Sequence, residues 1–244
     1  QSGDVRLAVY RWGDASKPML LFVHGYPDNH EVWLPLIERL VGRYQVVAYD
    51  VRGAGASDKP GKTRDYRLEL LSQDLKAVLD AVSPERPVHL VAHDWGSIQT
   101  WESVTDPALR ERIASYTSVS GPCLDHVGFW MRDRLRQKSP RALLQLVSQL
   151  VHSWYIYYFH LPLLPALSWR LGAARLWPQY LRKVEGVRNP AINPHQASDG
   201  VHGVKLYRAN FITSIFKPRK RHTEVPVQLI VPTRDRYVGQ QLFQ

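Results

Sequence analysis

The sequence predicts an α/β fold in which a mostly parallel sheet is flanked by helices and carries an inserted helical segment. Short apolar runs alternate with helical patterns over the first 120 residues, as is typical of βαβ units and a parallel sheet. About a hundred residues with helical patterns and many prolines follow, before a last apolar run at 226–231. With 244 residues and 44% hydrophobic content, the chain is long enough to form one such domain with a sizeable core.

The elements of the first part follow one another in a regular order. Alternating or continuous apolar runs predict the strands, and helical spacing of apolar side chains predicts helices near 33–41, 68–82 and 97–104. Because the strands run parallel, their carboxyl ends and the loops that follow should gather at one edge of the sheet. The predicted strands are Val5–Trp12, Met19–Val23, Gln45–Tyr49, Val88–Val91 and Ile113–Val119.

The chain changes character at Gly121 and Pro122. No convincing buried strand occurs from there to about residue 222, whereas the apolar run Pro226–Val231 resumes the sheet. We therefore predict a core formed by residues 1–121 and 223–244, incomplete at its C-terminal end, and a helical lid formed by residues 122–222.

The net charge is high, because Lys and Arg exceed Asp and Glu by ten (32 − 22 = 10). A solvated basic face accounts for this excess, and attraction to a membrane surface, to anionic lipids or to a fatty-acid-like substrate is the alternative. No motif supports nucleic-acid binding, so nucleic acid is not an expected partner. Two basic clusters stand out, Arg132, Arg134, Arg136, Lys138 and Arg141, and Lys217, Arg219, Lys220, Arg221 and His222.

The single cysteine, Cys123, excludes an internal disulfide and fits a reducing compartment. No apolar run reaches the length of a membrane span, and the N-terminus shows no signal-peptide pattern. We expect a cytoplasmic protein, although a leader removed before residue 1 is compatible with this sequence. A homodimer is one expected assembly, since the sequence does not fix the oligomeric state.

The stretch from Val88 to Ile98 gives the strongest chemical signal. The small residues Ala92 and Gly96 stand two positions on either side of Asp94, so that a strand and a helix can meet very closely. This geometry pushes the Asp94 side chain out at the top of the sheet, as in a nucleophile elbow. An ordinary strand–turn–helix with Asp94 capping the helix is the alternative.

An aspartate in this position predicts a particular reaction. A carboxylate can displace a leaving group at saturated carbon and form an alkyl ester, which water then cleaves at the ester carbonyl. A serine would suit acyl transfer instead, so Asp94 argues against an esterase, lipase or protease. Such chemistry needs neither a cofactor nor a metal, and we expect neither.

Three motifs occur in order, namely His-Gly-Tyr-Pro at 24–27, Asp-Val-Arg-Gly-Ala-Gly-Ala-Ser at 50–57 and His-Asp-Trp-Gly at 93–96. With these motifs the chain resembles the epoxide hydrolases of the α/β-hydrolase fold over essentially its whole length. The resemblance implies hydrolysis of lipophilic epoxides to vicinal diols through an ester on Asp94. His-Asp-Trp-Gly is specific to members with a carboxylate nucleophile, mainly epoxide hydrolases and haloalkane dehalogenases.

The same resemblance implies roles for four further residues. The backbone N–H groups of Tyr26 and Trp95 would form the oxyanion hole. Tyr155 and Tyr207, in segments similar to the family's two lid motifs, would donate to the epoxide oxygen as it becomes an alkoxide. For Tyr155, the alternative is that it only packs within an aromatic stripe of the lid, and Tyr158 is a competing candidate for the same role.

Two other functions stay open at this point. A haloalkane dehalogenase could use Trp95 as a halide donor, but Tyr26 stands where many dehalogenases have Asn, and the two lid tyrosines favour epoxides. A hydrolase-fold binding module without turnover is the other. His24 and His93 are interpreted as hydrogen-bonded scaffold residues of their loops rather than acid–base groups.

Asp235 follows the last apolar run, where the family carries the acid that orients a catalytic histidine. No histidine follows it, the last being His222, so the base that activates water is absent from these residues. We therefore expect a chain truncated at its C-terminus, with the run at 226–231 left as an unprotected sheet edge. The segment Ser118–Pro122 also resembles bacterial proteins in which an epoxide-hydrolase-like domain precedes a short-chain dehydrogenase.

Overall fold

A six-stranded sheet forms the centre of the computed structural model, which describes residues 1–243. The strand order is β1-β3-β2-β4-β5-β6, in which β1 runs antiparallel to β3 and all other neighbours are parallel. The predicted α/β class with a mostly parallel sheet is thus confirmed. The strands are β1 (Val9–Trp12), β2 (Met19–Val23), β3 (Gln45–Tyr49), β4 (Val88–His93), β5 (Ile113–Val119) and β6 (Val227–Ile230).

Helices follow the strands and fill the long segment between β5 and β6. Three of them belong to the first 120 residues, and six lie between residues 124 and 216, together with a π-helical turn at Trp169–Ala173. The division into a core and a lid stays a prediction, and "lid" below means residues 122–222. The α-helices are α1 (Leu34–Leu40), α2 (Leu68–Val82), α3 (Trp95–Val104), α4 (Leu124–Gln137), α5 (Pro140–His152), α6 (Trp154–His160), α7 (Leu164–Ser168), α8 (Ala174–Lys183) and α9 (Gln196–Phe216).

The first strand is shorter than predicted. It begins at Val9 rather than Val5, because the residues before it bond to the loop after β3 instead of to a strand. The N–H of Arg6 donates to the Asp58 carboxylate at 2.8 Å, and the N–H of Ala8 donates to the Ser57 hydroxyl at 2.9 Å. Side-chain acceptors in a loop thus replace the strand–strand hydrogen bonds that the alternation of apolar and polar residues predicted for this segment.

The junction between β4 and α3 is tighter than predicted. The strand extends past Val91 to His93, which pairs with Val119 of β5, and α3 already begins at Trp95 rather than Ser97. Only Asp94 therefore separates the strand from the helix.

The two faces of the sheet are covered by different helices. β3 is buried along its whole length, as expected for a central strand of a parallel sheet that is covered on both sides. Leu21, Val47 and Leu90 belong to a cluster with the apolar side of α2, whereas Phe22 packs with Trp33 in a second cluster. Strand β6 pairs in parallel with β5, so the apolar run at 226–231 contains a strand of the sheet, as the sequence predicted.

The second basic cluster is in part an ion-pair network rather than a free basic face. Arg221 pairs with Glu102 of α3 and, at 3.0 Å, with Asp125 of α4. Arg219 pairs with the same two carboxylates at 2.8 and 3.3 Å. These two arginines thus hold the segment after α9 against α3 and α4. Within residues 1–243, no helix is both long and apolar enough to cross a membrane.

The loop after β3 contains a buried ion pair. The Arg52 guanidinium donates to both oxygens of the Asp74 carboxylate on α2 and, at 2.7 Å, to the carbonyl of Asp65. Both side chains of the pair are buried, so every donor and acceptor must be satisfied within the protein.

We expect Asp74→Ala to lower the free energy of unfolding by about 3–5 kcal/mol, because it leaves the Arg52 charge buried without a partner. This corresponds to a fall in Tm of about 10 °C for a chain of this length. Thermal and urea unfolding measure both quantities. The control is Lys76→Ala on the same helix, which breaks an exposed pair with Asp80 and should cost less than about 0.5 kcal/mol. Equal losses in the two variants would contradict the prediction.

Candidate active site

Asp94 occupies the sharp turn between β4 and α3. Its backbone has φ 51° and ψ −124°, a left-handed region that residues other than glycine rarely adopt. Such a conformation costs about 1–3 kcal/mol and persists only where the surrounding structure holds it. Two backbone hydrogen bonds hold it: the N–H of Asp94 donates to the carbonyl of Val119 at 3.0 Å, and its carbonyl accepts from the N–H of Ile98 at 2.9 Å.

Three glycines make this turn possible through close packing. A Cβ on Gly96 would lie 2.3 Å from the carbonyl oxygen of Val23, so only glycine lets α3 begin this close to β2. A Cβ on Gly121 would lie 2.4 Å from the carbonyl oxygen of Asp94, and one on Gly25 would lie 2.5 Å from its carboxylate. Backbone atoms of the packed sheet cannot move away, and we conclude that these positions require glycine.

The Asp94 carboxylate receives the two N–H groups that the resemblance indicated. The N–H of Tyr26 donates to Oδ2 at 2.8 Å, and the N–H of Trp95 also bonds to the carboxylate. Burial raises the pKa of Asp94, and the negative charge of Asp235 adds to this, whereas the His93 ring and the two N–H groups oppose it. The carboxyl group is thus less solvated than in water, while the hydrogen-bond donors around it favour its charged form.

Asp28 is a neighbour of this site that the sequence analysis missed. Burial, together with the charges of Asp94 and Asp199, raises the pKa of Asp28 to about 6. The signal that could have found it is its position directly after the Gly-Tyr-Pro turn, because loops at the carboxyl ends of parallel strands converge on the site. Two buried carboxyl groups therefore interact here, and burial raises the pKa of both.

The structure brings both predicted tyrosines over the elbow. Tyr207 of α9 and Tyr155 of α6 have perpendicular rings with centroids 5.9 Å apart, and the Tyr207 ring lies 4.9 Å from the Trp95 ring. Burial, with a contribution from the Asp94 charge, raises the pKa of both phenols far above the usual value. Both groups therefore stay protonated at neutral pH and can act as hydrogen-bond donors.

Tyr158, the competitor of Tyr155, points elsewhere. Its hydroxyl hydrogen-bonds to the Ser168 hydroxyl at the end of α7. For the Tyr155 hydroxyl, by contrast, burial and the charges of Asp94 and Asp235 raise the pKa, and no hydrogen bond contributes. The geometry thus favours Tyr155 as the group that can reach a ligand above Asp94.

Asp235 lies close enough to add its charge to both Asp94 and Tyr155. Its Oδ1 accepts from the backbone N–H groups of Tyr237 at 2.8 Å and Val238 at 2.9 Å, which fixes the carboxyl group in its turn. Two open clefts of about 440 and 410 Å³ flank it, and both are lined by His152. Across the described chain, no group of three His, Cys, Asp or Glu side chains is arranged to hold a metal ion.

His24 is fully buried beneath the loop that carries Tyr26. Its Nε2 accepts from the N–H of Val51 at 3.0 Å, and its Nδ1 lies 2.9 Å from the carbonyl of Gly25, to which it donates. Burial lowers the pKa of His24 to about 4, so the ring is neutral at physiological pH. These contacts are those of a scaffold residue.

Comparison with known proteins gives the same overall picture. A family model for the alpha/beta hydrolase fold matches residues 18–199. The probable oxidoreductase EphD of Mycobacterium tuberculosis is 37% identical over 243 residues, which is 96% of this chain and 40% of that protein. Epoxide hydrolase 3 of Xenopus tropicalis is 29% identical over 231 residues, or 91% of this chain and 53% of that protein. The chain thus spans about half the length of these relatives, or less.

Solved structures of epoxide hydrolases share the fold. The Bacillus megaterium epoxide hydrolase in complex with an inhibitor aligns with a TM-score of 0.77 and 21% identity, covering 100% of this chain and 85% of that one. A Vigna radiata epoxide hydrolase mutant aligns with a TM-score of 0.74 and 21% identity, covering 100% and 82%. At these identities the likeness is one of fold.

The neutral state of His24 predicts a pH-dependent stability. An unfolded chain binds a proton on this ring near pH 6.5, and the folded protein does so only near pH 4, so stability is full above pH 6.5 and falls as the pH drops through this window. We expect a loss of about 2 kcal/mol between pH 7 and pH 5, which His24→Gln should abolish while lowering stability at pH 7.

Urea unfolding at the two pH values measures this loss. The matched control is His152→Gln, on an exposed histidine of α5, which should keep the pH dependence of the wild type. If His24→Gln kept it too, the neutral ring would not be its source.

Proposed function

We propose that this chain, which belongs to the α/β-hydrolase family, opens epoxides by attack of the Asp94 carboxylate and releases vicinal diols through an alkyl ester. One observation carries the proposal. Asp94 has a strained backbone at the elbow, and its carboxylate accepts hydrogen bonds from the N–H groups of Tyr26 and Trp95. It lies beneath the phenols of Tyr155 and Tyr207, whose raised pKa values keep them protonated. The relatives named as epoxide hydrolases support the same reaction.

The two oxygens of Asp94 have different roles in this mechanism. Oδ2 is held by the Tyr26 N–H, so Oδ1 is the oxygen that attacks a carbon of the epoxide ring. A C–O bond forms between Oδ1 and that carbon while the ring C–O bond breaks, and the electron pair stays on the ring oxygen. Oδ2 becomes the carbonyl oxygen of the ester and already accepts from the Tyr26 N–H.

The ring oxygen needs a proton donor as it becomes an alkoxide. Tyr155 and Tyr207 lie on different lid helices with perpendicular rings, so their hydroxyls can approach one oxygen from two directions. Because their pKa values are raised, both phenols are protonated when the substrate binds. A donated proton completes the opening and leaves a 2-hydroxyalkyl ester on Asp94.

Water must then attack the carbonyl carbon of the ester. The negative charge that develops on Oδ2 is stabilised by the N–H groups of Tyr26 and Trp95, which act as the oxyanion hole. Asp235 is proposed to orient the histidine that activates the water.

The substrate is proposed to be lipophilic. The side chains around Tyr155 and Tyr207 form an aromatic cluster, with ring centroids between 4.8 and 5.9 Å apart. Such a lining offers large apolar contact surface and few polar partners apart from the phenols themselves. The cluster consists of Tyr26, Trp95, Tyr155, Phe159, Tyr207 and Phe211.

Ester formation is the direct test. Incubation with styrene oxide should add the whole mass of the epoxide to the protein, and peptide mapping should locate it on Asp94. Asp94→Asn should abolish the adduct, and Tyr207→Phe should slow its formation about 100-fold because one proton donor is lost. The matched control is Tyr157→Phe, on an exposed tyrosine of α6, which should react like the wild type.

Three results would contradict the proposal. They are an adduct elsewhere in the protein, an unchanged rate in Tyr207→Phe, or faster reaction with a bromoalkane of equal length, which would indicate dehalogenation instead.

Association with an anionic lipid surface is a further part of the proposal. Leu163 and Leu171 of the lid are 81% and 73% exposed, and the exposed Arg170 and Arg175 lie beside them in the sequence. Apolar and cationic side chains together suit the headgroup region of an acidic membrane. A homodimer, a cytoplasmic location and a dehydrogenase domain elsewhere in the protein stay predictions.

Vesicle sedimentation tests this association. With vesicles containing 30% phosphatidylserine, we expect the wild type to sediment at low salt and Leu163→Glu/Leu171→Glu to stay in solution. The control is Leu36→Glu, the same change at an exposed leucine of α1. If the double variant sedimented like the wild type, this face would not be the one that binds.

A further inference from the structure

The side chain of Tyr26 has a role that its backbone does not share. We propose that Tyr26 is a positioning residue. Its ring and hydroxyl set the distance between helix α9 and the turn at Asp94, and thereby place the Tyr207 hydroxyl over Asp94. This inference rests on the proposed function, since it concerns the placement of one of its proton donors. It is distinct from the oxyanion hole, which uses only the Tyr26 N–H.

Tyr26 joins three parts of the molecule. Its N–H donates to Asp94 Oδ2 at 2.8 Å, in the core. Its hydroxyl donates to the carbonyl of Gly200 at 3.0 Å, in the first turns of α9, and accepts from the indole N–H of Trp169 at 2.7 Å, in the π-helical turn. One side chain thus links the elbow to two lid segments whose relative position is otherwise set by packing.

Two glycines of α9 allow this contact. A Cβ on Gly203 would lie 2.2 Å from the Tyr26 ring, and a Cβ on Gly200 would lie 2.2 Å from the Trp169 ring. Glycine disfavours a helix interior, so two within one turn need a packing reason. The reason here is that the helix backbone lies directly on the two aromatic rings.

The contact between Tyr26 and α9 affects the position of Tyr207, because the residues involved lie on the same helix. Gly200, Gly203 and Tyr207 follow one another at spacings of three and four residues, so they share one face of α9. The Tyr207 ring lies 5.5 Å from the Tyr26 ring and 4.9 Å from that of Trp95. Because a helix moves as a rigid element over one turn, a shift at Gly203 displaces Tyr207 by a similar distance. A displacement of about 1 Å in a reacting group can lower a rate about 100-fold.

Other contacts hold the start of α9 near the core without the Tyr26 hydroxyl. The Gln196 amide donates to the carbonyl of Pro27 at 2.8 Å, and the Asn29 amide donates to Asn193 at 3.2 Å. Removing the hydroxyl should therefore leave the lid folded and attached. Its effect should be a small displacement of the helix, which is what a positioning role requires.

A double-mutant cycle on ester formation tests the inference. With styrene oxide in excess, we expect Tyr26→Phe to form the Asp94 ester about 10-fold more slowly than the wild type. In the Tyr207→Phe background the same change should alter the rate less than twofold, because the group that it positions is already gone. The control is Tyr158→Phe, which removes a hydroxyl contact to Ser168 within the lid and should leave the rate unchanged.

The ring resonances of Tyr207 give a readout that does not need the reaction. In protein with ¹³C-labelled tyrosine, Tyr26→Phe should shift the Tyr207 ring signals, and Tyr158→Phe should not. Unshifted Tyr207 signals, or an equal slowing by Tyr26→Phe with and without the Tyr207 hydroxyl, would overturn the inference. A wild-type protein that forms no ester overturns the proposed function instead, and the resonance experiment then decides the positioning role by itself.

Discussion

The backbone of Asp94, held at φ 51° between a strand and a helix that it alone separates, is the constraint on which the rest of the site depends. At this turn β2, β4 and α3 approach so closely that Gly25, Gly96 and Gly121 have no room for a Cβ. The same closeness brings the Tyr26 and Trp95 N–H groups to the Asp94 carboxylate. The strain and the hydrogen-bond donors are therefore two consequences of one packing arrangement, and a looser turn would lose both.

Burial raises the pKa of every acidic group of the site, but the chemical consequence differs between the carboxyl group and the phenols. It raises the pKa of Asp94, but the His93 ring and two N–H groups favour the charged form and so oppose this effect of burial. It raises the pKa values of Tyr155 and Tyr207 with little to oppose it, which keeps them as donors. One apolar environment thus suits both a carboxylate that attacks and phenols that protonate, because two backbone N–H groups favour the charged form of the carboxylate.

The parts of the site that could be predicted from sequence are those fixed over short distances along the chain. Small residues around Asp94 indicate the elbow because its geometry is local, and the resemblance to a known family adds the lid tyrosines. The choice between Tyr155 and Tyr158 could not be made from the sequence, since a helix of adjacent aromatic residues does not show which hydroxyl finds Ser168. Asp28 was missed for a related reason: its pKa is raised first by burial and then by the charges of Asp94 and Asp199, and both depend on how distant parts of the chain pack together.

The position of the lid relative to Asp94 follows from where its two ends are attached. At its entrance, Gly121 packs against the carbonyl of Asp94, the residue from which α3 starts. At its exit, Arg219 and Arg221 pair with Glu102, near the end of the same helix. Both ends of the lid are therefore attached to α3. Because α3 begins at Asp94, these attachments fix the position of the lid tyrosines relative to the Asp94 carboxylate.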